Sequence, residues 1–233
     1  LKAMRSDAEN STDLTEDVKK AVLGMLDRAI TSKDVESKVQ QDIANVKNQI
    51  KTAPDQIRAT EDELKRPPQT PENIATTASN MDTNQRENRL ITLDAELAAA
   101  KAELNRSGEQ LISLKNLPAQ LQGQIGEVKQ RMPVIAGELK KTPSPNDPPA
   151  LVRAQRAALL ADQSKLQAEM ELYEIQLANH DVMTALLTGT RDLSAQKVAQ
   201  QETLVKDWQI EVQRLRELEA KKERVVAEEA KKL

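Results

Sequence analysis

The sequence predicts an all-α protein: long antiparallel helical hairpins packed as an elongated coiled-coil bundle. Three observations lead there. The 233 residues include one Trp, one Tyr and no Phe, so the chain lacks the aromatic bulk that fills thick globular cores. Its apolar residues are Leu, Ala, Val, Ile and Met, set among abundant Glu, Gln, Lys and Arg, a helix-forming composition. Apolar residues recur at spacings of three and four over long stretches, and no sustained alternation or Asn-Gly pair marks a strand or hairpin.

Residues 1–11 are polar and aperiodic and read as a disordered tail. Residues 12–231 read as a single elongated helical domain. Thr12 or Asp13 can cap a first helix, Asp13 and Glu16 having the spacing of a capping box, and Leu14, Val18, Val22, Met25, Leu26 and Ala29 then form one face, giving a helix over 13–31. Thr31-Ser32 interrupts it. Val35, Val39, Ile43, Val46 and Ile50 make a second stripe over 33–53, ended by Pro54, and a short helix follows over 54–65.

Arg66-Pro67-Pro68-Gln69-Thr70-Pro71 reads as a loop, with Thr70 the N-cap and Pro71 the first residue of a helix over 71–116. From Leu90 the spacing is heptad-like: Leu90, Leu93, Leu97, Ala100, Leu104, Ser107, Leu111, Leu114. Leu121, Ile125, Val128, Met132, Ile135 and Leu139 keep the same phase through a segment over 118–141. Pro118 is read either as a kink in one helix or as a reversal at Asn116-Leu117-Pro118. A proline that follows Asn by two residues fits a helix start and favours the reversal.

The proline-rich run at 141–149 is the strongest loop signal. Asp147 as cap and Pro148 as first residue begin a helix over 148–179 whose seam is Leu159, Leu166, Met170, Tyr173 and Leu177. The apolar phase then jumps to Val182, Met183, Leu186 and Leu187. Asn179 in a left-handed conformation and Asp181 as a new cap predict a reversal there, with a last helix over 181–231. Gly189 lies inside that helix at a cost of about 1 kcal/mol against Ala. Leu1 at the start, and a helical pattern still running at Leu233, predict an excised or processed piece of a longer polypeptide.

The composition excludes several function classes. Without Cys there is no disulfide, thiolate metal site or Cys nucleophile, and one His rules out a His-pair zinc site. A net charge of −3 argues against a dedicated nucleic-acid binder, and no run approaches the roughly 18 apolar residues of a membrane span. His180 is the one conventional general base, with Asp181 and Glu174 near it in sequence, but a lone His at a helix junction reads as structural. Glu169, Glu171 and Glu174 read as a solvated face, because paired carboxylates do acid–base work only where a desolvated cleft raises a pKa. Gly123 and Gly126 lack the strand and further glycines of a phosphate loop. Lys140-Lys141 and Lys221-Lys222 are too short for a phosphate track. Glu16/Lys20, Glu127/Arg131, Glu202/Lys206 and Glu217/Lys221 have the spacing of helix-stabilising ion pairs. The residues assign no catalytic group, cofactor or metal. They assign packing and interaction positions: Leu90, Leu93, Leu97, Leu104 and Leu111 on one seam, Leu166, Met170, Tyr173 and Leu177 on the next, and Trp208 with Leu215 on the last.

One stretch carries a family resemblance. Leu166-Gln167-Ala168-Glu169-Met170-Glu171-Leu172-Tyr173-Glu174-Ile175-Gln176-Leu177-Ala178-Asn179-His180, followed by Thr190-Arg191-Asp192-Leu193, is similar to a leucine- and glutamate-rich helix that turns at a small residue plus Asn and resumes toward an Arg-Asp-Leu-like step. Together with the stripe ending near Pro54, the proline loop and the helix ending in Leu114-Lys115-Asn116-Leu117-Pro118, it resembles the N-terminal periplasmic helical (porin-like) domain of the large MscS-type mechanosensitive channels, the MscK and MscM branch. The resemblance spans roughly residues 20–230. It implies a non-catalytic periplasmic sensor or spacer of an inner-membrane channel active in osmotic stress, one that modulates gating or contacts cell-envelope components. Its partners would be the rest of the same polypeptide and neighbouring subunits. Nucleic acid would not be a partner, and the membrane would be reached only through segments absent from this chain. The alternative is a soluble coiled-coil scaffold or adaptor binding other helical partners. A membrane-curving module lacks the dense basic face that anionic lipid requires. An enzyme is the weakest reading, because no convergent polar constellation can be assembled.

Overall fold

The computed structural model describes residues 1–66 and 73–231. These form helices α1 (Lys2–Asn10), α2 (Glu16–Lys65), α3 (Ile74–Ser79), α4 (Thr83–Lys140), α5 (Pro149–Ala178) and α6 (His180–Ala230), with no strand among them. No described helix is long and apolar enough to cross a membrane. The expected loop at 67–71, with the Thr70 cap and Pro71, lies outside the described residues.

Several expected breaks turn out to be helix. The expected tail over 1–11 contains α1, because Ala8 is buried against Val22, Leu26 and Ala154 and Arg5 pairs with both Glu9 and Asp27. α2 runs for 50 residues through both expected interruptions. The Thr31 hydroxyl donates to the Asp27 carbonyl at 2.9 Å and the Ser32 hydroxyl donates across to α5, so neither competes with the helical ladder. Pro54 faces outward beside fully buried Ala53, and packing on the inner face holds the helix through it. Of the expected inner stripe, Ile43 is buried but Val35 is 38 % exposed, and Ser32 joins the inner face.

The helix expected over 71–116 is broken. Asn73 caps α3 by accepting from the Thr76 N–H at 3.2 Å, and the chain turns at Asn80-Met81. α4 then opens with a reciprocal capping box: the Gln85 N–H donates to the Asp82 carboxyl at 2.8 Å and the Asp82 N–H to the Gln85 side chain at 3.0 Å. From there α4 is continuous for 58 residues, with Pro118 and Pro133 inside it. The favoured reversal at Pro118 is therefore wrong, because a proline removes one N–H and two flanking turns packed on neighbours outweigh that loss.

α5 starts one residue later than the expected cap arrangement: Pro148 is its N-cap and Pro149 its first residue. Asp147 instead closes the preceding loop, its carboxyl accepting from the Ser144 N–H at 2.9 Å. Asn179 is the single residue between α5 and α6, with φ −110° and ψ 11°, and no described residue has a positive φ. The expected left-handed reversal is absent, and α6 begins at His180 without an Asp181 cap.

The chain divides into two compact units, 1–53 with 114–183 and 54–113 with 184–233. In the first, α5 runs parallel to α2, since contacts climb both helices together from Arg28–Asp162 to Glu36–Ser164. It runs antiparallel to α4, to which the loop at 141–148 joins it. The α2–α5 seam is built of Ala29, Ala158 and Ala161, whose small side chains allow close approach. Val128, Ile135 and Leu166 form a second core against α4.

In the second unit α4 and α6 are antiparallel, as the Glu87–Arg216 and Lys101–Glu202 pairs show. Their core is Ala78, Leu93, Val205, Trp208 and Val212. α2 meets α6 at Gly189, where an added Cβ would lie 3.2 Å from the Thr60 methyl. That close approach explains a glycine in the middle of a helix.

Candidate functional site

The expected packing residues fall into separate sets. Leu93 and Trp208 are fully buried in the second unit's core, with Leu90, Leu97 and Leu215 half-buried against it. Leu166 is buried in the first unit, with Met170 and Tyr173 half-buried beside it. Leu104, Leu111 and Leu177 are half-buried. The α4 heptad is thus shared between two cores instead of forming one seam.

Sequence reasoning missed the polar contacts that tie the helices together. In the first unit the Asp162 side chain is only 4 % exposed. It accepts from the Ser32 hydroxyl at 2.6 Å and pairs with the Arg28 guanidinium. One turn of α2 further on, the Ser164 hydroxyl donates to Glu36 at 2.7 Å, and Lys33 donates to Glu36 at 2.7 Å and to Ser164 at 3.1 Å. Partial burial would raise the Glu36 carboxyl, but the bonds from Lys33 and Ser164 outweigh it and hold it below its ordinary value. Lys47 and Glu171 continue the series at 2.8 Å.

In the second unit Arg86 is buried, 7 % exposed in its side chain. Its Nε donates to the carbonyls of Ala78 and Met81, both at 3.0 Å, in the turn after α3, where the Ala78 carbonyl also accepts from the Met81 N–H at 3.3 Å. Its Nη2 donates to Glu219 of α6 at 2.8 Å. That bond holds the Glu219 carboxyl below its ordinary value. Glu211 is held down likewise by Arg214, which donates to it at 2.8 and 2.5 Å. Glu202, expected to pair along its own helix with Lys206, meets Lys101 at 2.8 Å. The sequence signal for the Arg86 centre is the Asp82-x-x-Gln85 box, which announces a helix start just before it.

The expected structural role for His180 takes a specific form. Its Nε2 lies 3.0 Å from the Leu114 carbonyl, and its Nδ1 lies 3.3 Å from Asp181. Burial raises the Tyr173 hydroxyl above its ordinary value, aided by Glu169 and Glu127. Glu171 and Glu174 are exposed, and among the described residues no group of three or more acidic or His side chains could hold a metal ion. An open cleft of about 560 Å³ lies between α1 and the starts of α2 and α5, lined by Met4, Asp7, Leu14, Val22, Leu26 and Arg153 among others. What these contacts do chemically is fix helices against one another in one register.

No curated protein and no solved structure matches the chain. A family model, MscS_porin, the mechanosensitive ion channel porin domain, matches residues 6–233. With nearly every residue inside that match, the chain belongs to the mechanosensitive ion channel porin domain family.

Proposed function

We propose that this chain is a non-catalytic periplasmic sensor or spacer domain of an inner-membrane mechanosensitive channel, of the MscK and MscM branch. The observation that carries the reading is the family match over residues 6–233. The interhelical ion pairs support it, because a domain that transmits force must keep its helices from sliding. Arg28–Asp162 and Lys47–Glu171 do this in one unit, and Arg86–Glu219 and Lys101–Glu202 in the other. Its partners are the rest of the channel polypeptide, neighbouring subunits and cell-envelope components. The domain acts by making different contacts in the closed and open states, which shifts the equilibrium between them.

The test is to delete residues 6–233 from the full-length channel and record pressure thresholds by patch clamp in membranes with matched expression. A shifted threshold or altered open time is expected. An unchanged threshold with unchanged kinetics refutes a gating role.

A further inference from the structure

In an α-helix each carbonyl accepts from the N–H four residues on. Proline has no N–H, so Pro118 leaves the Leu114 carbonyl of α4 without its helical donor. A half-buried orphan acceptor costs free energy unless another donor reaches it. His180, the first residue of α6, places Nε2 at 3.0 Å from that oxygen, with its side chain 20 % exposed. Pro133 opens an equivalent gap at the Lys129 carbonyl, but Lys129 is an exposed residue.

We infer that Pro118 and His180 are a matched pair, in which the proline opens one acceptor on α4 and the imidazole fills it, pinning the start of α6 at a single position along α4. Since a carbonyl oxygen only accepts, Nε2 must carry the hydrogen. The neutral Nε2–H tautomer supplies that donor. The break between α5 and α6 is then held by a side chain acting on a helix defect, beside the Asn179 amide, which donates to the Ile175 carbonyl at 2.9 Å. His180 is a positioning residue, and its effect depends on the residue at 118.

The test is a double-mutant cycle on the 233-residue chain, with unfolding equilibrium constants from urea titration. H180A is expected to lower the folding constant about five- to tenfold, the scale of one lost hydrogen bond to a half-buried acceptor. P118A restores the backbone N–H, so H180A in that background is expected to change the constant less than about twofold. An equal cost in both backgrounds would overturn the pairing and leave His180 as ordinary packing. A second measurement stands on the wild-type chain. Imidazole 15N shifts should show the neutral ring as the Nε2–H tautomer, and a predominant Nδ1–H tautomer would overturn the assignment.

Discussion

Asp162 offers the sharpest test of the first unit. Replacing it with Ala removes the acceptor of the Ser32 hydroxyl, which is buried with its residue 6 % exposed. A buried donor left without a partner costs about 1–3 kcal/mol. The Arg28 guanidinium loses its partner too, but that side chain is 62 % exposed, water replaces the carboxyl, and the added cost is about 0–1 kcal/mol. D162A should therefore destabilise the chain by about 1–4 kcal/mol. Urea unfolding followed by far-UV circular dichroism measures it, with D34A, exposed on α2, as a control expected within about 0.5 kcal/mol of wild type. The reasoning also fixes the coupling. In an S32A background no hydroxyl remains to be stranded, so the cost of D162A should shrink by about 1–2 kcal/mol. A loss under about 0.5 kcal/mol for D162A, or an undiminished cost in S32A, would show that the buried carboxyl is not what joins α2 to α5.

Three further outcomes follow from the same geometry. G123A, at an exposed position with nothing within 4 Å of the new methyl, should raise stability by about 0.5–1 kcal/mol, whereas G189A should show no gain, because its Cβ meets a Thr60 side chain held by a 2.8 Å bond to Gln56; equal gains in thermal melting would refute the close approach at Gly189. Glu219 sits below its ordinary value of 4.5 when folded, so its pairing stabilises the chain above that pH and the contribution is lost as pH falls through the depressed value. The stability gap between wild type and E219Q should therefore narrow on acidification, and a gap independent of pH would contradict the pairing. R86K should cost about 2 kcal/mol, since an ammonium cannot reach two carbonyls and Glu219 from one planar fork; a neutral result in urea titration would mean that the α3–α4 turn holds without the guanidinium.

Helix type was legible wherever apolar spacing was regular, as at Leu90, Leu93 and Leu97, because periodicity is a property of the chain alone. Helix ends were less so. Pro54 and Pro118 carry strong local stop signals, and packing on either side overrides both, an effect no window of sequence contains. Thr31-Ser32 looked like an interruption because small polar residues often end helices, yet Ser32 faces inward to an acceptor 130 residues away. α1 was missed because one buried Ala and one well-placed Arg stabilise it. The packing residues were legible as a stripe, but their division between two cores was not. The charged contacts were the least legible: Arg86 and Asp162 are ordinary surface residue types, buried here only because particular partners meet them.

The placement of the aromatics has an optical consequence. The one Trp is sealed in the core of the second unit and the one Tyr is half-buried in the first. Excitation at the red edge of indole absorption therefore reports on residues 54–113 and 184–233 alone, while phenol emission belongs to the other unit. Without any label, the chain carries a separate fluorophore in each unit. Emission and ellipticity traces that superimpose would mark cooperative unfolding of both units, and a Trp transition at its own denaturant concentration would give the second unit's stability directly.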